Sequence, residues 1–198
     1  MKKSEKIRIE SPDGFLHMQD LPHDCIFNKV ITGCGATTIA LQNDEDYIIA
    51  VPTTELIVNK TGRKDAGTSL ITFGDKRQTV FGLFGTYRDS EKELKEYIRD
   101  KSHVRKIMCT YDKLSKLTEV VNPSEYRLLI DEYHCLLKAY SYRQTAIDGV
   151  LENFRRYKSF CFMSATPIDA TFCPNCLDDV KMITAEWEYT DKMKVNLL

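Results

Sequence analysis

Short apolar runs rich in β-branched residues recur along this chain, and polar segments with helical spacing separate them. No other feature limits the fold as much. The runs fall at 26–32, 47–51, 69–73, 79–84, 106–110, 127–130, 159–163 and 181–187. Gly33 breaks the first and Pro52 stops the second. Between the runs, 53–60, 90–101, 112–121 and 136–157 read as helices. In the last of these, Ala139, Tyr142, Ala146, Val150 and Phe154 recur at spacings of three or four and mark one helix face. Ser90, followed by Glu93, reads as a capping box that opens the second helix. Strands that alternate with helices predict an α/β domain with a mainly parallel sheet and helices on both faces. A length of 198 residues fits one such domain. No repeat or Pro/Ser-rich linker divides it.

Composition narrows the function classes. With 42% hydrophobic and 29% charged residues, the chain is neither a disordered tail nor a coiled coil. A net charge of −1 excludes a protein held on nucleic acid by bulk charge, while leaving room for a local basic groove. Seven cysteines, scattered through apolar runs, fit reduced thiols and a cytoplasmic location. No apolar run approaches the roughly 20 residues that span a bilayer, so no membrane partner is expected. The basic N-terminus lacks the apolar stretch of a secretory signal.

In an open parallel sheet, ligands bind beyond the carboxyl ends of the strands. The first such segment is Thr32-Gly33-Cys34-Gly35-Ala36-Thr37-Thr38. Glycines between a strand and a helix let the backbone curl around a phosphate, although a glycine pair also serves as a plain tight turn. Thr37 stands where a P-loop threonine holds Mg²⁺, but Ala36 occupies the place of the usual lysine. Lys29 and Lys60 are the nearby cations that could lean toward phosphates; a solvated or structural lysine is the more ordinary role for either. A second segment, Leu129-Ile130-Asp131-Glu132-Tyr133-His134, ends an apolar strand with paired carboxylates. Such a pair is poorly tolerated in a core and suits Mg²⁺ and a water beside a nucleotide. Two more strand ends carry Ala50-Val51-Pro52-Thr53-Thr54-Glu55-Leu56 and Met163-Ser164-Ala165-Thr166-Pro167. Cys109-Thr110-Tyr111-Asp112-Lys113-Leu114 lies between them.

In order and spacing, these segments resemble motifs I, Ia, II and III of superfamily 2 helicases, with a DExH-type box written here as Asp131-Glu132-Tyr133-His134. The resemblance covers about Lys29 to Pro167 and implies a single RecA-like P-loop NTPase lobe. It implies ATP and Mg²⁺ as cofactors, with Thr32, Gly33, Cys34, Gly35, Ala36, Thr37, Thr38 and Lys29 around the nucleotide. Thr37 and Asp131 would hold the metal, and Glu132 would orient the attacking water. His134 would link to motif III or the other lobe, and Ser164, Ala165 and Thr166 would couple the site to nucleic acid and the second lobe. Pro52, Thr53, Thr54, Thr110 and Tyr111 would lie along a bound DNA or RNA strand, expected to be single-stranded. On this reading 1–25 is a lead-in, 26–190 the ATP-binding lobe, and 191–198 the start of a linker toward a second RecA-like lobe supplied in cis or in trans. The rival expectation, to which Ala36 points, is a RecA-like module that binds nucleic acid or a partner protein without hydrolysis.

Two smaller features remain. Cys173-Pro174-Asn175-Cys176 has the spacing of half a zinc site, but no second pair completes it, and structural cysteines are the plainer reading. Lys60, Arg63, Lys64, Lys76 and Arg77 form a basic stretch that is either a solvated face or a phosphate-contacting rim.

Overall fold

The computed structural model describes residues 4–188. Nine strands form one sheet: β1 (Ser4–Ile9), β2 (Cys25–Asn28), β3 (Tyr47–Val51), β4 (Gly67–Phe73), β5 (Lys76–Leu83), β6 (Lys106–Thr110), β7 (Arg127–Asp131), β8 (Ser159–Ser164) and β9 (Lys181–Trp187). Their order is β1-β9-β2-β8-β7-β3-β6-β5-β4. The pairings among the described residues are parallel, except the hairpin of β4 with β5. Five α-helices connect them: α1 (Ala36–Gln42), α2 (Thr54–Thr61), α3 (Tyr87–Arg99), α4 (Tyr111–Val120) and α5 (Cys135–Asn153). This is the mainly parallel α/β architecture that the alternating pattern predicts, and it is consistent with the RecA-like style that the resemblance implies.

The central strands β3, β6 and β8 are buried at every residue, as strands covered on both faces must be. Successive side chains feed two cores. Tyr47, Ile49 and Val51 pack with Ile39 of α1 and Ile57 of α2. Ile48 and Ala50 belong to the opposite core with Leu94 of α3, Leu114 of α4 and Ala139 of α5. The helices α4 and α5 meet so closely that a Cβ on Gly149 would stand 1.9 Å from Ser115 Oγ.

The segment 4–24 also joins the domain. Its strand β1 pairs with β9 at one sheet edge, while Leu16 and Leu21 are buried. A search for apolar runs misses this strand because Lys6 and Arg8 alternate with Ile7 and Ile9; both pair with acids at the other strand's end, Glu186 and Glu188.

Three local expectations are corrected. The strand β2 stops at Asn28, not at residue 32, because the chain turns sharply at Val30, whose φ is +64°. Helix α3 begins at Tyr87, so Ser90 lies inside its first turn and is no cap. Glu93 instead accepts the Thr68 N–H at 2.8 Å. Helix α5 loses helical geometry at Arg143 (φ −132°, ψ 29°), which rotates the two halves relative to each other. Ala139 and Val150 are buried, whereas Tyr142, expected on the same face, is 73% exposed.

A buried polar cluster closes the amino-terminal side of the sheet. The fully buried Lys106 ammonium donates to Ala40 O, Asn43 Oδ1 and Glu45 O. Burial outweighs the nearby Asp46 charge and pushes its pKa down to about 7.

Candidate active site

The sheet order places β2, β8 and β7 side by side, so the segments following these three strands meet beyond one sheet edge. After β2 comes the glycine loop. Gly33 and Gly35 have φ of +72° and +78°, which side chains disfavour, and Gly35 leads directly into α1. Its carbonyl accepts the Ile39 N–H at 3.1 Å. Lys29, Gly33, Gly35, Thr37, Thr38 and Lys60 line a cleft of about 220 Å³, with Phe15 at its rim. Larger hollows lie along α3, beside Lys92 and Arg99, and at the opposite sheet edge beside Asp44 and Arg127. Neither contains the loop or the acid pair.

After β7 comes that acid pair. Asp131 is buried, and its Oδ2 accepts a hydrogen bond from Thr37 Oγ1 at 2.7 Å. The other oxygen, Oδ1, is buried, has no hydrogen-bond donor among the described residues and stands 3.8 Å from Lys29 Nζ. Lys29 Nζ donates to Glu132 Oε1 at 2.8 Å. Burial raises the Asp131 pKa, while the Lys29 charge and the Thr37 hydroxyl pull against it. For Lys29 burial acts downward, but Asp131 and Glu132 outweigh it and hold the ammonium charged.

Glu132 itself sits in a left-handed conformation, φ +52°, which turns its side chain across to the end of β8. There Glu132 Oε2 lies 3.3 Å from His134 Nδ1 and 3.4 Å from Ser164 Oγ. His134 Nδ1 and Ser164 Oγ are 2.8 Å apart, and Ser164 Oγ accepts the Thr166 N–H at 2.9 Å. Burial lowers the His134 pKa, which favours the neutral ring in this chain of contacts. An unbroken polar path thus runs from Thr37 through Asp131, Lys29, Glu132 and Ser164 to Thr166.

The other expected residues divide. Thr32 is exposed, Thr38 is half-buried with Lys60 Nζ 3.3 Å from its hydroxyl, and Cys34 and Ala36 are buried. Ala165 is half-buried and Thr166 exposed. Of the five residues expected along a nucleic-acid strand, Thr53 is exposed and Thr54 half-buried, whereas Pro52, Thr110 and Tyr111 are buried. The Tyr111 hydroxyl, at the start of α4, points inward and donates to the carbonyls of Asp131 and Glu132. The basic stretch is also split. Lys76 at the start of β5 pairs with Asp44 at the far edge of the sheet, while Arg63 donates to the carbonyls of Asp65 and Thr68. Cys173 is half-buried and Cys176 exposed, and among the described residues no group of three or more His, Cys, Asp or Glu side chains could hold a metal.

Two residues with work at the site escape sequence reasoning. Trp187, the single tryptophan, donates its indole N–H to the Lys29 carbonyl at 2.9 Å. Arg143, at the break in α5, donates to the Pro52 carbonyl at 2.9 Å and pairs with Asp112 at 3.0 Å. A lone tryptophan ending a strand was the only available signal for the first. For the second, an arginine in a helix reads as solvated.

Comparison with protein families and with curated protein sequences finds no match. The fold and the site define an α/β protein with a glycine loop and an acid pair converging at the carboxyl ends of adjacent strands. No helix among the described residues is long and apolar enough to cross a membrane.

Proposed function

We propose that this chain is the ATP-binding lobe of a superfamily 2 helicase-like, nucleic-acid-dependent ATPase, with turnover completed by a second RecA-like lobe in cis or in trans. The observation that carries this reading is the hydrogen bond from Thr37 to Asp131, which joins a glycine loop to a strand-end carboxylate across 94 residues of sequence. Asp131 Oδ1, buried and without a donor, fits a cation ligand at that point. Thr37 and Asp131 would hold the Mg²⁺ that accompanies ATP, and the bound metal would neutralise charge developing on the phosphates. The loop amides around Gly33 and Gly35 would wrap the phosphate chain. Glu132 would orient the attacking water, and the Glu132–His134–Ser164–Thr166 path would carry the state of the nucleotide toward bound DNA or RNA. Exposed Thr53 and half-buried Thr54 are the expected residues that remain accessible to a single strand.

Ala36 favours a second reading, a module that binds nucleotide or nucleic acid without hydrolysis. Titration calorimetry tests the shared part: Mg·ATP should bind the parent and bind Asp131→Asn much more weakly. Turnover measured with the second lobe present, and lost in Glu132→Gln, would select the ATPase. Nucleotide binding without turnover under those conditions would select the module. Absence of Mg·ATP binding by a folded parent would remove the nucleotide site.

A further inference from the structure

We infer that Lys29, at the end of β2, is the lysine that meets the nucleotide phosphates, in place of the one missing at Ala36. The inference rests on the nucleotide-site reading above and adds the cation that site otherwise lacks. A triphosphate buried against two carboxylates needs positive charge, and the cleft offers two ammonium groups, Lys29 and Lys60. Lys60 is exposed on α2, with its Nζ 3.3 Å from the Thr38 hydroxyl. Lys29 differs in every respect that matters. Its side chain is only 7% exposed, and Nζ stands 2.8 Å from Glu132 and 3.8 Å from Asp131, whose second oxygen is bonded to Thr37. The ammonium, the acid pair and the loop threonine therefore converge.

The backbone around Lys29 is built to hold it there. Its N–H donates to Ser164 O at 3.0 Å, which continues the β2–β8 pairing by one residue. Its carbonyl accepts both the Ile31 N–H at 2.7 Å and the Trp187 indole at 2.9 Å. The Ile31 bond closes a three-residue turn about Val30, whose φ of +64° is the rare, strained hand of the γ-turn. A β-branched residue in that region is a true outlier. Such strain persists only where surrounding contacts over-determine it, and it gathers at sites that need a particular aim. Here it ends the strand immediately after Lys29 and sends the chain into the glycine loop. A lysine well upstream of the usual place at Ala36 thereby reaches the same cleft from the strand side.

An ammonium has three donors, and Lys29 spends one on Glu132. At rest it neutralises the acids; when phosphate oxygens arrive, the remaining donors can take them. Relaxing the bond to Glu132 then frees that carboxylate for water.

Two measurements test this. First, Mg·ATP affinity is compared for the parent, Lys29→Met and the double variant Lys29→Met/Ala36→Lys, each checked for an intact thermal transition. Methionine keeps the length of the buried side chain without its charge. We expect a loss of roughly 10- to 100-fold in Lys29→Met, the effect of one charge-assisted phosphate contact, and recovery of most of it in the double variant. Second, the unaltered protein is treated with an acyl-phosphate derivative of ATP. The lysine amine attacks the acyl carbon, an amide forms, the acyl–phosphate bond breaks with ATP as leaving group, and the amine proton passes to solvent. Peptide mapping should find the label on Lys29 and its suppression by excess ATP. Binding by Lys29→Met within twofold of the parent, or ATP-suppressed labelling of Lys60 alone, would overturn the assignment. If Lys29→Met does not fold, the labelling decides by itself. A parent that neither binds Mg·ATP nor takes the label overturns the nucleotide site and this inference together, whereas a parent that binds while Lys29 proves indifferent overturns the inference alone.

Discussion

The buried hydroxyl of Tyr111 lies 2.5 Å from the carbonyl oxygen of Asp131 and 3.2 Å from that of Glu132. It thus props the turn at which β7 ends, where Glu132 holds a left-handed backbone conformation of φ +52°. The side chain that looks, in sequence, like part of a binding surface is instead a strut under the acid pair. Burial raises its phenol pKa well above the ordinary value, so the hydroxyl stays a donor throughout the accessible pH range.

Tyr111→Phe should therefore cost about 1–3 kcal/mol of stability, because the buried Asp131 carbonyl loses this donor while the ring's packing is kept and Glu132 O retains the Cys135 N–H at 2.8 Å. Urea denaturation measures this. Amide exchange at Glu132 and Tyr133 should also quicken more than at the distant β9. A stability equal to the parent's would mean the strut carries no load.

Arg143 joins the break in α5 to the end of β3 and the start of α4 through the Pro52 carbonyl and Asp112. The pair with Asp112 is about a third exposed on each side, so its own contribution is small, and the expected loss in Arg143→Ala is about 1 kcal/mol or less. The sharper consequence is local. Exchange of the Thr53 and Thr54 amides should accelerate in the variant, while that of β6 should not. Unchanged exchange at Thr53 and Thr54 would count against a clasp.

Lys106 makes stability depend on pH. Its pKa falls from 10.5 to about 7 on folding, so between those values the unfolded chain binds more protons than the folded one. Stability from this group must then rise with pH above about 7, by at most about 1.4 kcal/mol per unit. Buried thiols oppose it from about pH 9 upward: burial raises the Cys109 pKa, and the contact with Cys25 together with burial raises that of Cys161. Chemical denaturation at pH 7, 8 and 9 should show the rise, and Lys106→Met should flatten it. A parent and variant with equal slopes would remove Lys106 as its source.

Gly149→Ala should disrupt the α4–α5 contact, since the new Cβ would stand 1.9 Å from Ser115 Oγ. Overpacking of this kind costs about 1–3 kcal/mol. Adding Ser115→Ala removes the nearest atom and leaves a Cβ contact of 3.2 Å, so the double variant should recover much of the loss in a thermal melt. Additive losses would place the strain elsewhere.

Local pattern determined a great deal about this protein. The strands β6 and β9 occupy the very residues that β-branched runs mark, 106–110 and 181–187. The alternation of strand and helix determined a mainly parallel sheet; the acid pair stood out because carboxylates are expensive inside a core, and the glycine loop because glycines break an apolar run before a helix. All of this follows from which side chains avoid water, a property each short segment carries within itself. What only the tertiary structure decided lies in meetings across the sequence. Thr37 reaches Asp131, Lys29 reaches Glu132, and Trp187 reaches the Lys29 carbonyl because the order β9-β2-β8-β7 sets those strand ends side by side. Tyr111 turns inward and Arg143 breaks its helix for the same kind of reason. Each answers to a neighbour brought near by the sheet order, and no hydrophobic period within a single segment records who that neighbour will be.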